Sequence, residues 1–155
     1  MKVATSYFYK IRFFTPNMIP ISTAVWDPQW FHKNKGDHYK FIDKNGVING
    51  LRYPNFIFRD YIVKETECKG KDNCNWNPDN CEFLKDYESF ISRTDFEELK
   101  KTLEELGDSW RKKTGITDEL TFVFIVYETP SNPCSERKTI QNYFKRYGVD
   151  CPEIE

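Results

Sequence analysis

"LTFVFIVY", residues 120–127, is the most apolar stretch of the chain, interrupted only by the hydroxyl of Thr121. An alternating apolar–polar pattern would mark a strand with one wet face. An unbroken run of β-branched and aromatic residues marks a strand covered on both faces, as in a sheet sandwiched between helices. The run then gives way to "ETPSNPCSER", residues 128–137, a loop shaped by Pro130 and Pro133. Beyond it, Ile140, Phe144 and Tyr147 recur at helical spacing, and Gly148 stands where a left-handed cap would end the helix. Strand, proline loop and helix in this order predict an α/β domain.

Upstream, "SRTDFEELKKTLEELGDSWRKKTG" reads as a long helix over residues 92–115. Thr94 and Glu97 have the spacing of a capping box. Phe96, Leu99, Leu103, Leu106 and Trp110 form one apolar stripe, and the charged residues between them form the solvated face. Arg111, Lys112 and Lys113 suit the negative end of the helix dipole, and Gly115 suits the cap that follows. "EFLKDYESFIS", from residue 82, reads as a shorter helix with Phe83, Tyr87, Phe90 and Ile91 on one side. Two further strands are expected over residues 2–9, "KVATSYFY", and 20–26, "PISTAVW". "VDCPEIE" at the C-terminus offers a short final strand. Between residues 32 and 80 the pattern is weak. Asn45-Gly46 and Asn49-Gly50 mark turns, and "FIFRDYIV" fits either a strand or a short helix. With no repeat or linker, residues 1–155 are expected to form one α/β domain. Its expected architecture is a mostly parallel sheet flanked by helices, Rossmann-like in plan.

A chain of 155 residues can bury a full core without staples. Aromatics make up 17% of it, so that core should be built from fewer, larger side chains. The formal charge of −1 supplies no global basic field, and no strong general nucleic-acid affinity is expected. "FVFIVY" is too short to span a bilayer, and the N-terminal residues lack the pattern of a signal peptide. A cytoplasmic protein with no membrane association is therefore the expectation, and its five cysteines should be reduced thiols.

In open α/β sheets, ligands gather beyond the carboxyl ends of the strands, where helix N-termini present free N–H groups. Residues 128–137 occupy that position. Ser135 suits the N-cap, and Arg137 falls in the first turn, where a cation opposes the helix dipole. Its placement points either to an anionic ligand or to pairing with Glu128 or Glu136. Cys134 beside Arg137 is a nucleophile candidate, and Glu128 and Glu136 are candidate acid or base residues. No spacing here matches a cysteine phosphatase loop or a Gly-rich phosphate loop.

Cys68, Cys74 and Cys81 lie in a polar loop, residues 66–81, separated by five and six residues. That spacing lacks the tight Cys-x2-Cys pair usual for zinc. The three are candidate zinc ligands, with His32, His38 or Cys151 as a fourth, or else separate thiols.

"VYETPSNPCSERKTIQNYFKRYGVDCPEI" resembles the ending of the family called domain of unknown function 488. In that family an apolar strand runs into Tyr-Glu, a proline loop, and a Cys-His-Arg or Cys-Ser-Glu-Arg element opening the last helix. "TSYF", "PISTAVWDPQWF" and "CEFLKDYESFI" resemble its other elements, so the likeness spans most of the chain outside residues 35–65. This chain carries the Cys-Ser-Glu-Arg form and so has no imidazole at the turn. The resemblance implies a compact α/β fold without an established activity. It marks Ser6, Tyr7, Trp26, Asp27, Trp30, Tyr127, Glu128, Cys134, Ser135, Glu136 and Arg137. Aromatic walls with a carboxylate and an arginine would suit a nucleotide, because bases stack on rings and phosphates pair with guanidinium groups. Two functions stay open: a crevice binding a nucleotide or another small anionic molecule, in an enzyme that processes nucleotides or nucleic acid, or a non-catalytic protein. The latter would be a ligand-sequestering or defence-related factor, or a zinc-stabilised interaction module.

Overall fold

The structure is a computed structural model, and it describes residues 1–23 and 76–154. Its centre is a parallel sheet of β1 (Lys2–Tyr7), β2 (Met18–Ser22) and β3 (Thr121–Val126), in the order β1-β3-β2. The register pairs Val3 and Ile19 with Phe122, and Thr5 and Ile21 with Phe124. The apolar run thus becomes the middle strand. From Val123 to Val126 it is completely buried, so both faces are covered. Pro20 is accommodated because β2 pairs only with β3 among the described residues, leaving an edge where its missing N–H costs nothing.

Among the described residues, three α-helices flank the sheet: α1 (Glu82–Ser92), α2 (Phe96–Thr114) and α3 (Arg137–Arg146). None is long and apolar enough to cross a membrane. The stripe predicted on α2 is buried at Leu99, Leu103, Leu106 and Trp110, whereas Phe96 stays half-buried. Trp110 also donates its indole N–H to the Pro16 carbonyl at 2.9 Å, fixing the helix to the loop before β2. Gly107 makes close approach possible: a Cβ there would lie 3.2 Å from side-chain atoms of Leu120 and Phe122. Gly115 ends α2 with φ 74°, as its position predicts.

The start of α2 differs from the expected capping box. Asp95 is the N-cap, and its carboxylate accepts the Glu98 N–H at 3.0 Å. Thr94 is drawn inward instead. Its N–H donates to the Ile91 carbonyl, and its own carbonyl accepts the Tyr143 hydroxyl at 2.9 Å. With that backbone committed, the next residue caps, and a carboxylate at this end also favours the dipole.

On α3 the buried face is Ile140, Tyr143 and Phe144, while Tyr147 lies largely outside, stacked on Phe96 at 4.3 Å. Phe144 meets Phe124 of the central strand at 5.3 Å. The expected final strand shrinks to one bridge. Glu153 pairs in parallel with Thr5, with Thr5 N–H donating to Pro152 and Ile154 N–H donating to Thr5. This tail lies along the edge of β1 that β3 leaves open.

Candidate functional site: the turn from β3 to α3

β3 ends at Val126, and ten residues later the chain enters α3 through a loop held by its own side chains. Thr129 and Asn132 close a turn through their backbones at 3.0 Å, and Asn132 Oδ1 accepts the Cys134 N–H at 2.9 Å. These are the local side-chain-to-backbone bonds that Asn favours in turns. The loop brings Ser135 back beside Glu128. Its Oγ donates to Glu128 Oε2 at 3.2 Å and accepts the Arg137 N–H at 3.4 Å. The helix begins at Arg137 with Glu136 as its N-cap, one residue later than the Ser135 cap expected, so Ser135 meets the helix start only through its contact with the Arg137 N–H.

Glu136 is the most perturbed acid of the site. Desolvation first, then the charge of Glu128, push its carboxyl from 4.5 to about 8, against lowering by its backbone hydrogen bond and by Arg137. A hydrogen bond between the two carboxyls also favours the protonated form of Glu136. At neutral pH Glu136 thus keeps its proton and can donate it. Tyr87 of α1 feels the same cluster. Burial, and then the Glu136 charge, keep its phenol well above the ordinary range.

Arg137 turns the other way. It is 4% exposed, and Nη1 forms an ion pair with Glu153 Oε1 at 2.9 Å. Nη2 donates to the Glu128 carbonyl, and the guanidinium carbon lies 5.9 Å from the Tyr7 ring centre. The pairing expected with a Glu128 or Glu136 carboxylate is made with Glu153 instead; Glu128 contributes only its backbone oxygen. Glu153 also accepts the Thr5 hydroxyl, and Gln141 Nε2 donates to Thr5 Oγ1 at 2.7 Å. Among the described residues, Arg137 Nε is buried without a hydrogen bond, as is Thr94 Oγ1.

Glu128, Ser135, Glu136, Arg137 and Tyr7 thus converge at the carboxyl end of the sheet. Tyr127 is half exposed, its ring 4.8 Å from that of Phe8. Ser6 is buried, and its hydroxyl donates to the Ile154 carbonyl at 3.0 Å, so it fixes the tail. Cys134 is partly buried in the loop. Trp26, Asp27, Trp30, Cys68 and Cys74 lie outside the described residues. Cys81 is buried at the start of α1, and no group of three metal-binding side chains occurs among the described residues. Cys151, a possible fourth ligand, is buried, and desolvation followed by Asp150 and Glu153 pushes its thiol up to about 12. Thr5, Gln141 and Glu153 were not singled out by sequence. The one signal pointing their way is a first-turn arginine that requires a carboxylate.

No protein-family model, curated protein or solved structure matches this chain.

Proposed function

We propose that the turn from β3 to α3 is the functional centre of a small-molecule domain, where Glu136 donates a proton and Glu128 is its carboxylate partner. The observation that carries this reading is the pair itself: two half-buried carboxyls at one turn, with the Glu136 proton held to about 8. A general acid whose pKa lies near working pH is what proton transfer needs, and structural burial alone rarely assembles such a pair. Ser135 keeps Glu128 oriented through its 3.2 Å bond. Cys134 is the weaker nucleophile candidate, since no imidazole base lies in the turn.

The ligand class that fits is a nucleotide or nucleoside. A carboxylic acid beside a carboxylate offers a donor and an acceptor to a base edge, and Tyr7 and Tyr127 offer rings. The phosphate contact first expected of Arg137 is less apt, because its guanidinium already holds Glu153 and the Glu128 carbonyl. The placement beyond the carboxyl ends of parallel strands supports a Rossmann-like plan and the resemblance to domain of unknown function 488.

A melting-temperature screen against bases, nucleosides and nucleotides tests the reading, with mass spectrometry of each mixture to detect turnover. At least one compound should raise the melting temperature, and Glu128→Gln should remove most of that shift. Any turnover should fall about 10²-fold or more in Glu136→Gln. A panel without effect, or a shift equal in both variants, would remove the carboxyl pair from ligand chemistry.

A further inference from the structure

Residues 1–26 contain Lys2, Lys10 and Arg12 and no acidic residue, although the whole chain carries a net charge of −1. Two of these cations lie on the 3-10 helix Phe8–Phe13, whose sequence, "FYKIRF", alternates rings with charges. Phe8 and Ile11 are buried and seat the turn firmly on the core. Tyr9, between them, is 53% exposed, and Phe13, beyond Ile11, is 64% exposed. Their ring centres are 6.1 Å apart, and Tyr9 stacks toward Tyr7 at 6.5 Å. The Arg12 guanidinium lies 3.9 Å over the Tyr9 ring, and Lys10 Nζ lies 5.4 Å over Phe13. Neither cation is in an ion pair among the described residues.

Two large exposed rings on a buried base, each with a cation against it that forms no ion pair among the described residues, are an unusual surface. From this we infer that the 3-10 helix Phe8–Phe13 is a stacking surface for single-stranded nucleic acid. Unstacked bases would lie against the sides of Tyr9 and Phe13 that Arg12 and Lys10 do not cover, and the two cations would meet the phosphates between them. A duplex hides its base faces and would engage only the two cations. An anionic membrane is the less fitting occupant. One six-residue turn with two rings presents too little apolar surface, given that even a whole acyl chain gives only marginal membrane binding. The surface lies outside the carboxyl pair, and the inference goes beyond the function proposed above.

The test is fluorescence anisotropy of a fluorescein-labelled dT12 strand titrated with the full chain at low salt. A dissociation constant of roughly 10⁻⁶ to 10⁻⁴ M is expected, with two phosphate contacts giving a log–log salt slope of about −1.4. The complementary duplex should bind about tenfold more weakly or worse. Phe13→Ala and Tyr9→Ala should each weaken dT12 binding by roughly tenfold. Lys10→Gln with Arg12→Gln should bring the salt slope close to zero. Tyr9, Arg12 and Phe13 are exposed, and an unchanged melting curve by circular dichroism would show that each variant folds. Absence of dT12 binding, binding unchanged in both ring variants, or equal affinity for duplex would overturn the inference. Partition onto phosphatidylserine vesicles without dT12 binding would do so too, and would reassign the surface to membranes.

Discussion

Glu136 and Arg137 are adjacent at the start of α3, yet their charges meet opposite fates. Arg137 enters a cluster that pairs its charge and leaves only its Nε without a hydrogen bond: Glu153 supplies the countercharge, Thr5 and Gln141 hold Glu153 or its partner, and the Glu128 carbonyl takes a second guanidinium N–H. Glu136 enters a cluster that frustrates it, because burial and a second carboxylate both resist its ionisation. A satisfied polar cluster orders the fold: here it pins the C-terminal tail to β1 and the start of α3 to both. A frustrated one lowers stability at high pH and keeps a proton ready. The contrast separates the side of this helix start whose charges are paired from the side where burial and a second carboxylate hold a proton.

The largest effect expected on either side is from Arg137→Ala. Removing one member of a buried pair leaves the other charged and uncompensated, which costs about 3–5 kcal/mol. Urea denaturation should show a loss in that range, and Arg137→Lys should recover only part of it, since a point charge cannot serve Glu153 and the Glu128 carbonyl together. A loss below about 1 kcal/mol would mean that Glu153 reaches water and that the completed side is less completed than its geometry indicates.

On the same side, Thr5→Val keeps the shape and removes the hydroxyl that Glu153 accepts and Gln141 donates to. The cost should be about 1–3 kcal/mol, the penalty for polar groups left buried without a partner. Because the substitution leaves Glu128 and Ser135 untouched, ligand-induced stabilisation at the turn should survive it.

The frustrated side answers to pH. The folded pKa of Glu136 is raised, so folding retains a proton that the unfolded chain gives up. The stabilisation that the neutral carboxyl confers is fully present below 4.5 and is lost as pH rises toward about 8. Unfolding free energy should therefore fall through that window, with a limiting slope of about 1.4 kcal/mol per pH unit, and melting temperature should fall with it. Glu136→Gln, which mimics the protonated acid, should remove this part of the slope and leave the protein the more stable form above pH 8. Glu128→Gln should only shorten the window, because desolvation is the larger cause and remains. An equal effect of the two variants would make the carboxylate charge, and not burial, the controlling term.

These two clusters also mark how far the sequence could be read. β3, the stripe of α2 and the glycine cap at Gly115 were legible because each is written in neighbouring residues: an unbroken apolar run, a 3.6-residue period, a glycine after a basic turn. Glu128, Ser135, Glu136 and Arg137 were legible as one site because a short loop joins them. The partners of Arg137 were not. Thr5 and Glu153 are 148 positions apart, and no local pattern links the first strand to the last residues. Likewise, the rise in the Glu136 pKa comes first from burial in the folded chain, so local pattern left two candidate acids unranked.

The N-cap of α2 provides a third kind of charge, and with it the smallest of these effects. Thr94 and Asp95 are both good caps, and local sequence favoured Thr94 because Glu97 completes its box. Tertiary contacts decided otherwise: the Tyr143 hydroxyl claims the Thr94 carbonyl, and the exposed Asp95 takes the cap through the Glu98 N–H. Asp95→Ala should then cost about 1 kcal/mol, whereas Glu97→Ala should cost close to nothing. The Asp95 carboxylate keeps its hydration and still stabilises the helix end, so its substitution sets the scale for a charge that is neither completed nor frustrated. If Glu97→Ala proved the more costly, the box would form in solution, Thr94 would be free of Tyr143, and α3 would sit less firmly against the start of α2.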